Sequence, residues 1–366
     1  MDFQPIADHF GITGVIAHAE EIHSGNINRT FLVAVQEGDT QKEYVFQRIN
    51  TFVFKKPEEV MDNILKVTEH IKQKLLAMNG CYDRRVLSFL VGKDGKPYCY
   101  TASNKHFWRV YEYISHAVAY DQVVQPEMFY EAGRSFGEFQ GWLSDFSAQS
   151  LFEIIPNFHN TPERFKTFRG AVERDTVGRR TQVEDEICFL LEREAECGVL
   201  TEKLKTGEIP YRVTHNDTKI NNILFDNQTD KAICVIDLDT VMPGTALYDF
   251  GDAVRYGAST ALEDERDLSK VSLDLELYEQ FTKGFLESLG DSMTEAEIAL
   301  LPQGVKIMTL ELATRFLSDY LDGDIYFKTR SDDHNLVRAR TQIQLVRDIE
   351  AKWEQLQQIT ARCCEG

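Results

Sequence analysis

The sequence predicts an α+β chain of two lobes, a small β-rich lobe at the amino terminus and a larger, mainly helical lobe after it. Three observations carry this. β-rich runs crowd the first third, helical periodicity dominates from Pro126 onward, and 366 residues exceed the ordinary span of one compact core. A hydrophobic content of 43% is ample for two packed cores. The boundary is expected near residues 112–120, dividing the chain into 1–115 and 116–366.

Residues 21–50 read as two strands. EIHSGNINRTFLVAV holds a turn at Ser24-Gly25-Asn26 before a β-rich run, and EYVFQRIN follows the polar turn EGDTQ. From Pro57 the period changes: Val60, Ile64, Val67, Ile71 and Leu75 share one helical face, with Pro57 suited to the first turn and Gly80 to the end. VLSFLVGKDGKPYCYT is expected to form a strand pair about Asp94-Gly95, and WRVYEYI (108–114) a last strand. After Pro126 one helical stripe joins Met128, Ala132, Phe136, Phe139 and Leu143, and long helical patterns recur over 181–206, 274–289 and 335–358.

Charge and composition exclude several classes. With 59 acidic against 40 basic residues and a net charge of −19, a nucleic-acid or anionic-membrane partner meets general repulsion. A polyanionic ligand needs a metal and local donors to bind. No apolar run approaches the roughly 20 residues that span a bilayer, and MDFQPIADHF has neither the basic start nor the apolar stretch of a signal peptide. A soluble cytoplasmic protein is expected. The seven cysteines are scattered, without the CxxC spacing of zinc or redox sites, and read as reduced thiols.

The chemistry concentrates in YRVTHNDTKINNILFDNQTDKAICVIDLDT, residues 211–240. NNILF and AICVIDL are β-like runs separated by the turn-rich DNQTDK, so a hairpin returns Asp237 to within a residue or two of Asn222. Asp217 precedes Asn222 by five residues, in the loop that feeds the hairpin. Hard oxygen ligands at Asn222 and Asp237 suit Mg2+, Asp217 suits a base that accepts a hydroxyl proton, and Lys219 suits neutralisation of a transferring phosphate.

His215-x-Asp217, Asn222 and Ile236-Asp237 after a hairpin together resemble the aminoglycoside phosphotransferase and choline kinase superfamily, relatives of protein kinases. GTALYDFGDAVR resembles the segment after the family's metal aspartate, where Asp249 would support the catalytic loop. The resemblance implies a protein-kinase-like two-lobed fold, ATP and Mg2+ as cofactors, Asp217 as base, and Asn222 with Asp237 as metal ligands. It implies nucleotide contacts at Ser24, Gly25, Asn28, Val45, Gln47, Glu112 and Tyr113. On EYVFQRIN, Val45 suits an adenine roof, whereas Gln47 stands where many kinases place lysine. Either Gln47 donates neutral hydrogen bonds to phosphate, or Arg48, Arg29 or Lys219 supplies the charge.

Over nearly the whole chain the sequence resembles the bacterial N-acetylhexosamine 1-kinases. The blocks that carry this are FHNTPERF, RVTHNDTKINNILFD, IDLDTVMPGTALYDFGDAVRYGASTALEDERDLSKV, RFLSDYLDGDIYFKT and HNLVRARTQIQLV. They imply phosphorylation of the anomeric hydroxyl of N-acetylglucosamine or N-acetylgalactosamine. For the sugar, Tyr256, Arg315, Asp319, Tyr320 and Tyr326 are the right residue types, with Arg315 and Tyr326 foremost. Arg315 and Asp319 are four apart on one helical face. The acidic run Glu263–Asp267 reads as a solvated helix start rather than a cation-binding face. Two alternatives stand: a kinase of another small alcohol, or a nucleotide-binding module without turnover, which Gln47 alone favours.

Overall fold

The computed structural model describes residues 1–23, 27–101 and 105–365. Helix α1 (Gln4–His9) precedes strands β1 (Val15–Ile22), β2 (Arg29–Glu37) and β3 (Thr40–Arg48). Helix α2 (Pro57–Asn79) and strands β4 (Cys99–Tyr100) and β5 (Phe107–Glu112) follow. The strands form one antiparallel sheet in the order β1-β2-β3-β5-β4. Period-2 alternation decides its faces. Phe31, Val33, Val35, Phe46, Trp108 and Val110 pack under Phe3, Ile6 and Phe10 at α1. The other face carries the cross-strand pairs Val45–Tyr111 and Gln47–Arg109.

α2 starts at the expected proline and ends on Gly80, whose left-handed φ of 70° a side chain would resist. Its stripe Val60, Ile64, Val67, Ile71 and Leu75 is buried in the larger core. Two expectations change. β1 is a third strand in the opening region, hidden from pattern reading because VIAHAEEI is largely exposed and alternates poorly. The arms of residues 86–101 meet only at the turn, where the Gly92 N–H donates to the Lys96 carbonyl (2.7 Å), and form no strand pair. Leu90 N–H donates to Val110 (2.9 Å), Glu112 N–H donates to Ser88 (3.0 Å), and Cys99 pairs with Trp108. Both arms thus lie in turn along the same edge of β5, and the Gly92–Lys96 turn loops out between them. The free edge of β5 offers each arm a ladder that they would otherwise take from one another.

The rest of the described chain is mainly helical: β6 (Ala117–Val118), α3 (Pro126–Trp142), α4 (Thr161–Arg174), α5 (Glu184–Leu191) and α6 (Val199–Thr206). Then come β7 (Arg212–Thr214), β8 (Ile223–Asp226), β9 (Ala232–Val235) and β10 (Met242–Gly244). Helices α7 (Ala246–Gly257), α8 (Leu275–Leu289), α9 (Glu295–Ala299), α10 (Leu301–Asp322), α11 (His334–Ala351) and α12 (Trp353–Glu365) complete it. The 181–206 and 335–358 patterns each split into two helices, at Glu192–Gly198 and at Lys352.

Close packing fixes the helices that carry the site. A Cβ on Gly133 of α3 would lie 2.2 Å from the Phe281 carbonyl, and one on Gly284 of α8 would lie 2.2 Å from the Tyr130 carbonyl. The glycines therefore let the two backbones touch, sealed by Phe129, Phe281 and Phe285. From α3, the Gln140 amide reaches Val213 O (2.9 Å) in β7 and Asp249 Oδ2 (2.8 Å) in α7. α2 ties the lobes through the Asn63 amide, which donates to Val241 O (2.9 Å) and Phe152 O (2.8 Å).

Candidate active site

β7 pairs with β10 and delivers the chain to His215-Asn216-Asp217. Asn216 adopts a left-handed backbone (φ 65°), which its amide supports by donating to Thr240 O (2.8 Å). Asp249, 1% exposed, accepts the His215 N–H (2.9 Å) on Oδ2 and the Asn216 N–H (2.8 Å) on Oδ1. His215 bridges inward: Nε2 is 2.9 Å from the Ile236 carbonyl, and Nδ1 accepts the Asp217 N–H (3.2 Å). A carbonyl only accepts and an amide N–H only donates, so the proton sits on Nε2. The loop is therefore clamped from both sides, and Asp217 projects from it half-buried.

β8 and β9 form the expected hairpin, with Ile223 opposite Val235. The Ile236 N–H donates to the Asn222 carbonyl (2.9 Å), which places Asp237 one step past Asn222 across the ribbon. Asn222 Nδ2 donates to the Asp217 carbonyl (2.7 Å) and to Asp217 Oδ2 (3.1 Å). Lys219 Nζ lies 2.8 Å from Asp217 Oδ1. Burial works to raise the Asp217 carboxyl, but Lys219, His215 and the Asn222 amide together outweigh it and hold the group below the usual range. Asp217 in turn pushes the Lys219 ammonium up.

Asp237, left-handed at φ 56°, is an exposed residue just past the end of β9. Crowding, then Asp239 and then Asp217, pushes its carboxyl up to about 7. Asn222 and Asp237 share this end of the ribbon as oxygen-bearing side chains, and magnesium takes only one or two protein ligands with phosphate and water. Among the described residues no cluster of three or more His, Cys, Asp or Glu is arranged to hold a metal.

On the sheet side, Ser24 and Gly25 lie outside the described residues. Asn28 donates its amide to Asp239 Oδ2 and accepts the Asn50 N–H (2.9 Å). Val45 is buried, and Glu112 and Tyr113 close β5 with their N–H groups on Ser88 (3.0 Å) and Glu43 (3.2 Å). Arg29 forks onto Glu21 (2.7 and 2.6 Å), and Arg48 stands 3.4 Å from His106. The cation beside Gln47 is Arg109, which the sequence reading did not single out. It was visible in principle, as an arginine inside the apolar strand FWRVYE directly across from Gln47. Asp239, which it pairs, had also gone unremarked.

On the acceptor side, Arg315 lies over Phe158 and Phe327 (5.7 and 5.6 Å) and 4.0 Å from Glu311 Oε1. Glu311 meets His159 Nδ1 (2.9 Å) and the Thr161 hydroxyl (2.8 Å), and His159 Nε2 reaches the Asn216 carbonyl (3.2 Å). A polar chain thus runs from Arg315 to the residue before Asp217. Arg164 stands close by: burial first and then Arg315 depress its guanidinium. Tyr326 is 70% exposed at this rim, edge-on to Phe327 at 4.8 Å. Tyr256 stands on the Lys219 side, donating to Asp121 O (3.1 Å). Asp319 accepts the N–H groups of Ile325, Tyr326 and Phe327 (2.9, 2.8 and 2.9 Å), while buried Tyr320 donates to Gln182 (3.3 Å). The acidic run is no bare solvated face: Glu263 pairs with Arg255 (3.2 Å), Asp264 with His334 (3.2 Å), and Asp267 accepts the Ser269 N–H (3.2 Å).

Residues 18–280, well over half of the chain, match the phosphotransferase enzyme family. The chain belongs to that family. Its fold is shared with solved structures across nearly their whole length. An aminoglycoside phosphotransferase from Alicyclobacillus acidocaldarius superposes with a TM-score of 0.65 at 13% identity, covering 99% of this chain and 97% of that one. A microcompartment-associated aminopropanol kinase gives 0.62 at 17% identity, covering 97% and 98%. A spectinomycin phosphotransferase solved with ADP and spectinomycin gives 0.57 at 14% identity, covering 96% and 97%. The α+β architecture, an antiparallel sheet followed by a helical part, is that of this protein-kinase-like fold. No helix among the described residues is long and apolar enough to cross a membrane.

Proposed function

We propose that this member of the phosphotransferase family is an ATP-dependent kinase that phosphorylates the anomeric hydroxyl of N-acetylglucosamine or N-acetylgalactosamine, with residues 1–115 as nucleotide lobe and 116–366 as acceptor lobe. Asp217, ionised and hydrogen-bonded on both sides, orients the acceptor hydroxyl and takes its proton. A strong base is unnecessary in a loose phosphoryl transfer, where positioning and charge neutralisation dominate. Lys219 offsets charge on the transferring group. Asn222 and Asp237 would hold Mg2+, which supplies charge neutralisation on the nucleotide phosphates when bound. Val45 roofs the adenine, with Asn28, Gln47, Glu112 and Tyr113 lining the same lobe.

The observation that carries the acceptor assignment is the chain Arg315–Glu311–His159–Asn216, which couples a guanidinium and its aromatic neighbours to the catalytic loop. Two neighbouring arginines repel an amine acceptor, as choline or an aminoglycoside would be, and suit the hydroxyl and amide oxygens of a neutral acetylated sugar. Tyr326 and Phe158 offer apolar faces for the ring. A panel of N-acetylhexosamines, unacetylated sugars, choline and aminoglycosides, read by phosphorus NMR of the product, tests this. The expected product is an N-acetylhexosamine 1-phosphate. No turnover of any N-acetylhexosamine, or phosphate at O6, refutes it.

A further inference from the structure

The kinase sheet ordinarily presents a lysine from its third strand to the nucleotide phosphates, and here that position is Gln47, a neutral amide. Its cross-strand partner on β5 is Arg109, 2% exposed, an arginine in an otherwise apolar run. Arg109 donates through Nε (2.9 Å) and Nη2 (2.7 Å) to the single oxygen Gln47 Oε1, and Gln47 Nε2 donates on to the Thr30 hydroxyl (3.0 Å). Gln47 Oε1 is therefore committed to aiming a cation, while its amide keeps one hydrogen beyond the Thr30 bond. The other arm, Nη1, pairs with Asp239 Oδ1 across the cleft and rests 3.8 Å from Met61 Sδ. Among the described residues this leaves the second Nη2 hydrogen without an acceptor.

Place strengthens the case. Asp239 stands two residues after Asp237, and its second oxygen takes Asn28, from the bend beside the phosphate side of the sheet. Arg109 thus stands where the bend, the sheet and the Asp237 turn converge. Arg29 and Arg48 face Glu21 and His106 instead. We propose that Arg109 is the phosphate-neutralising cation of this enzyme, taking over from β5 the task of the missing strand lysine, with Gln47 and Asp239 as the residues that position it. This rests on the kinase reading above, since it needs an adenine nucleotide in the cleft. A fork anchored at two points loses little freedom on binding, which suits a role as fixed charge.

The test is calorimetric titration of the full chain with Mg·ADP and, separately, with adenosine. Arg109→Met is expected to weaken Mg·ADP by about 10–100-fold and adenosine by less than about threefold, since only the phosphates meet the lost charge. Gln47→Lys in that background, which returns a cation to the third strand, is expected to recover most of the loss. Equal affinity of R109M and wild type for Mg·ADP, or parallel loss of adenosine, overturns the assignment. Where R109M does not fold, the exchange variant Q47K/R109Q keeps one cation and one amide on the same two strands. It is expected to hold Mg·ADP within about fivefold of wild type, and a larger loss with adenosine affinity intact overturns the proposal. Wild-type protein that binds neither ligand overturns the kinase reading itself, a failure distinct from an unaltered R109M.

Discussion

Replacing Asp249 by Asn isolates what one buried carboxylate does for the catalytic loop. Its oxygens take N–H donors from His215 (2.9 Å), Asn216 (2.8 Å) and the Gln140 amide (2.8 Å). An amide keeps one acceptor oxygen. If that oxygen stays toward His215 and Gln140, the new NH2 faces the Asn216 N–H and leaves it buried and unpaired, at about 1–3 kcal/mol. The two surviving bonds drop from charge-assisted to neutral, about 1 kcal/mol each. Burying an amide in place of a carboxyl group whose ionisation burial already opposes returns about 1–2 kcal/mol. The balance is a loss of about 1–4 kcal/mol, visible as a lower urea midpoint by tryptophan fluorescence. Because Asp217 rides on this loop, kcat should fall about 10–100-fold while Mg·ADP affinity holds, as for a lost positioning contact. Full turnover in a destabilised D249N refutes the positioning argument, and an unchanged midpoint refutes the energetics.

Asp217→Asn is expected to cut kcat by at least about 100-fold with ATP affinity nearly unaltered, because an amide keeps the shape and loses the proton acceptor; steady-state kinetics with unchanged turnover would reject the base. Arg315→Met should raise the KM for the acceptor about 10–100-fold and leave the KM for ATP alone, the cost of one or two charge-assisted bonds; a shift confined to ATP would place Arg315 elsewhere. Asp226, at the hairpin turn, is held near 2 by Arg84 first and then by the Gln228 and Thr229 donors. A depressed folded value means its stabilisation is present above the unfolded value near 4 and lost as pH falls from about 4 to about 2. D226N should therefore flatten the fall in urea midpoint over that window, and equal slopes in the two proteins would refute the coupling.

The β8–β9 ribbon was legible because its signal is local. Asn222 and Asp237 are joined by one hairpin, and turn residues between two β-like runs fix their return. The helices α2 and α3 were legible for the same reason, each having a proline start and one apolar stripe. What pattern reading missed depends on register between distant strands. Gln47 and Arg109 are 62 residues apart, and only the β3–β5 pairing puts them on one face. The strand pair expected over 86–101 failed on the same point, since both arms found β5 before they found each other. Asp319 illustrates a third limit: helical spacing puts it on the face of Arg315, yet three backbone N–H groups of the next loop claim it. Burial and competing donors decide such cases, and neither is written in spacing.

The charge balance of the cleft explains how so acidic a chain can receive a polyanion. Around the reacting centre, Asp217, Asp237 and Asp239 face Lys219 and Arg109. Lys219 is paired with Asp217 and Arg109 with Asp239. One negative charge is left over, and it falls on Asp237, the group whose carboxyl rises to about 7. A protein with a net charge of −19 therefore does not need a broad basic surface to bind a nucleotide. Each cation keeps a carboxylate partner and still has N–H groups to offer a phosphate, Arg109 through its second Nη2 hydrogen, and a divalent ion at the third carboxylate would turn the local balance positive. Of the two pairs only Arg109–Asp239 joins the sheet to the turn after β9, whereas Lys219–Asp217 lies within one loop, so the Arg109 contact both balances charge and ties the sheet to that turn. Removing Arg109 should then disturb the nucleotide twice, by exposing a carboxylate to its phosphates and by loosening the sheet from that turn, whereas removing Lys219 should act through charge alone.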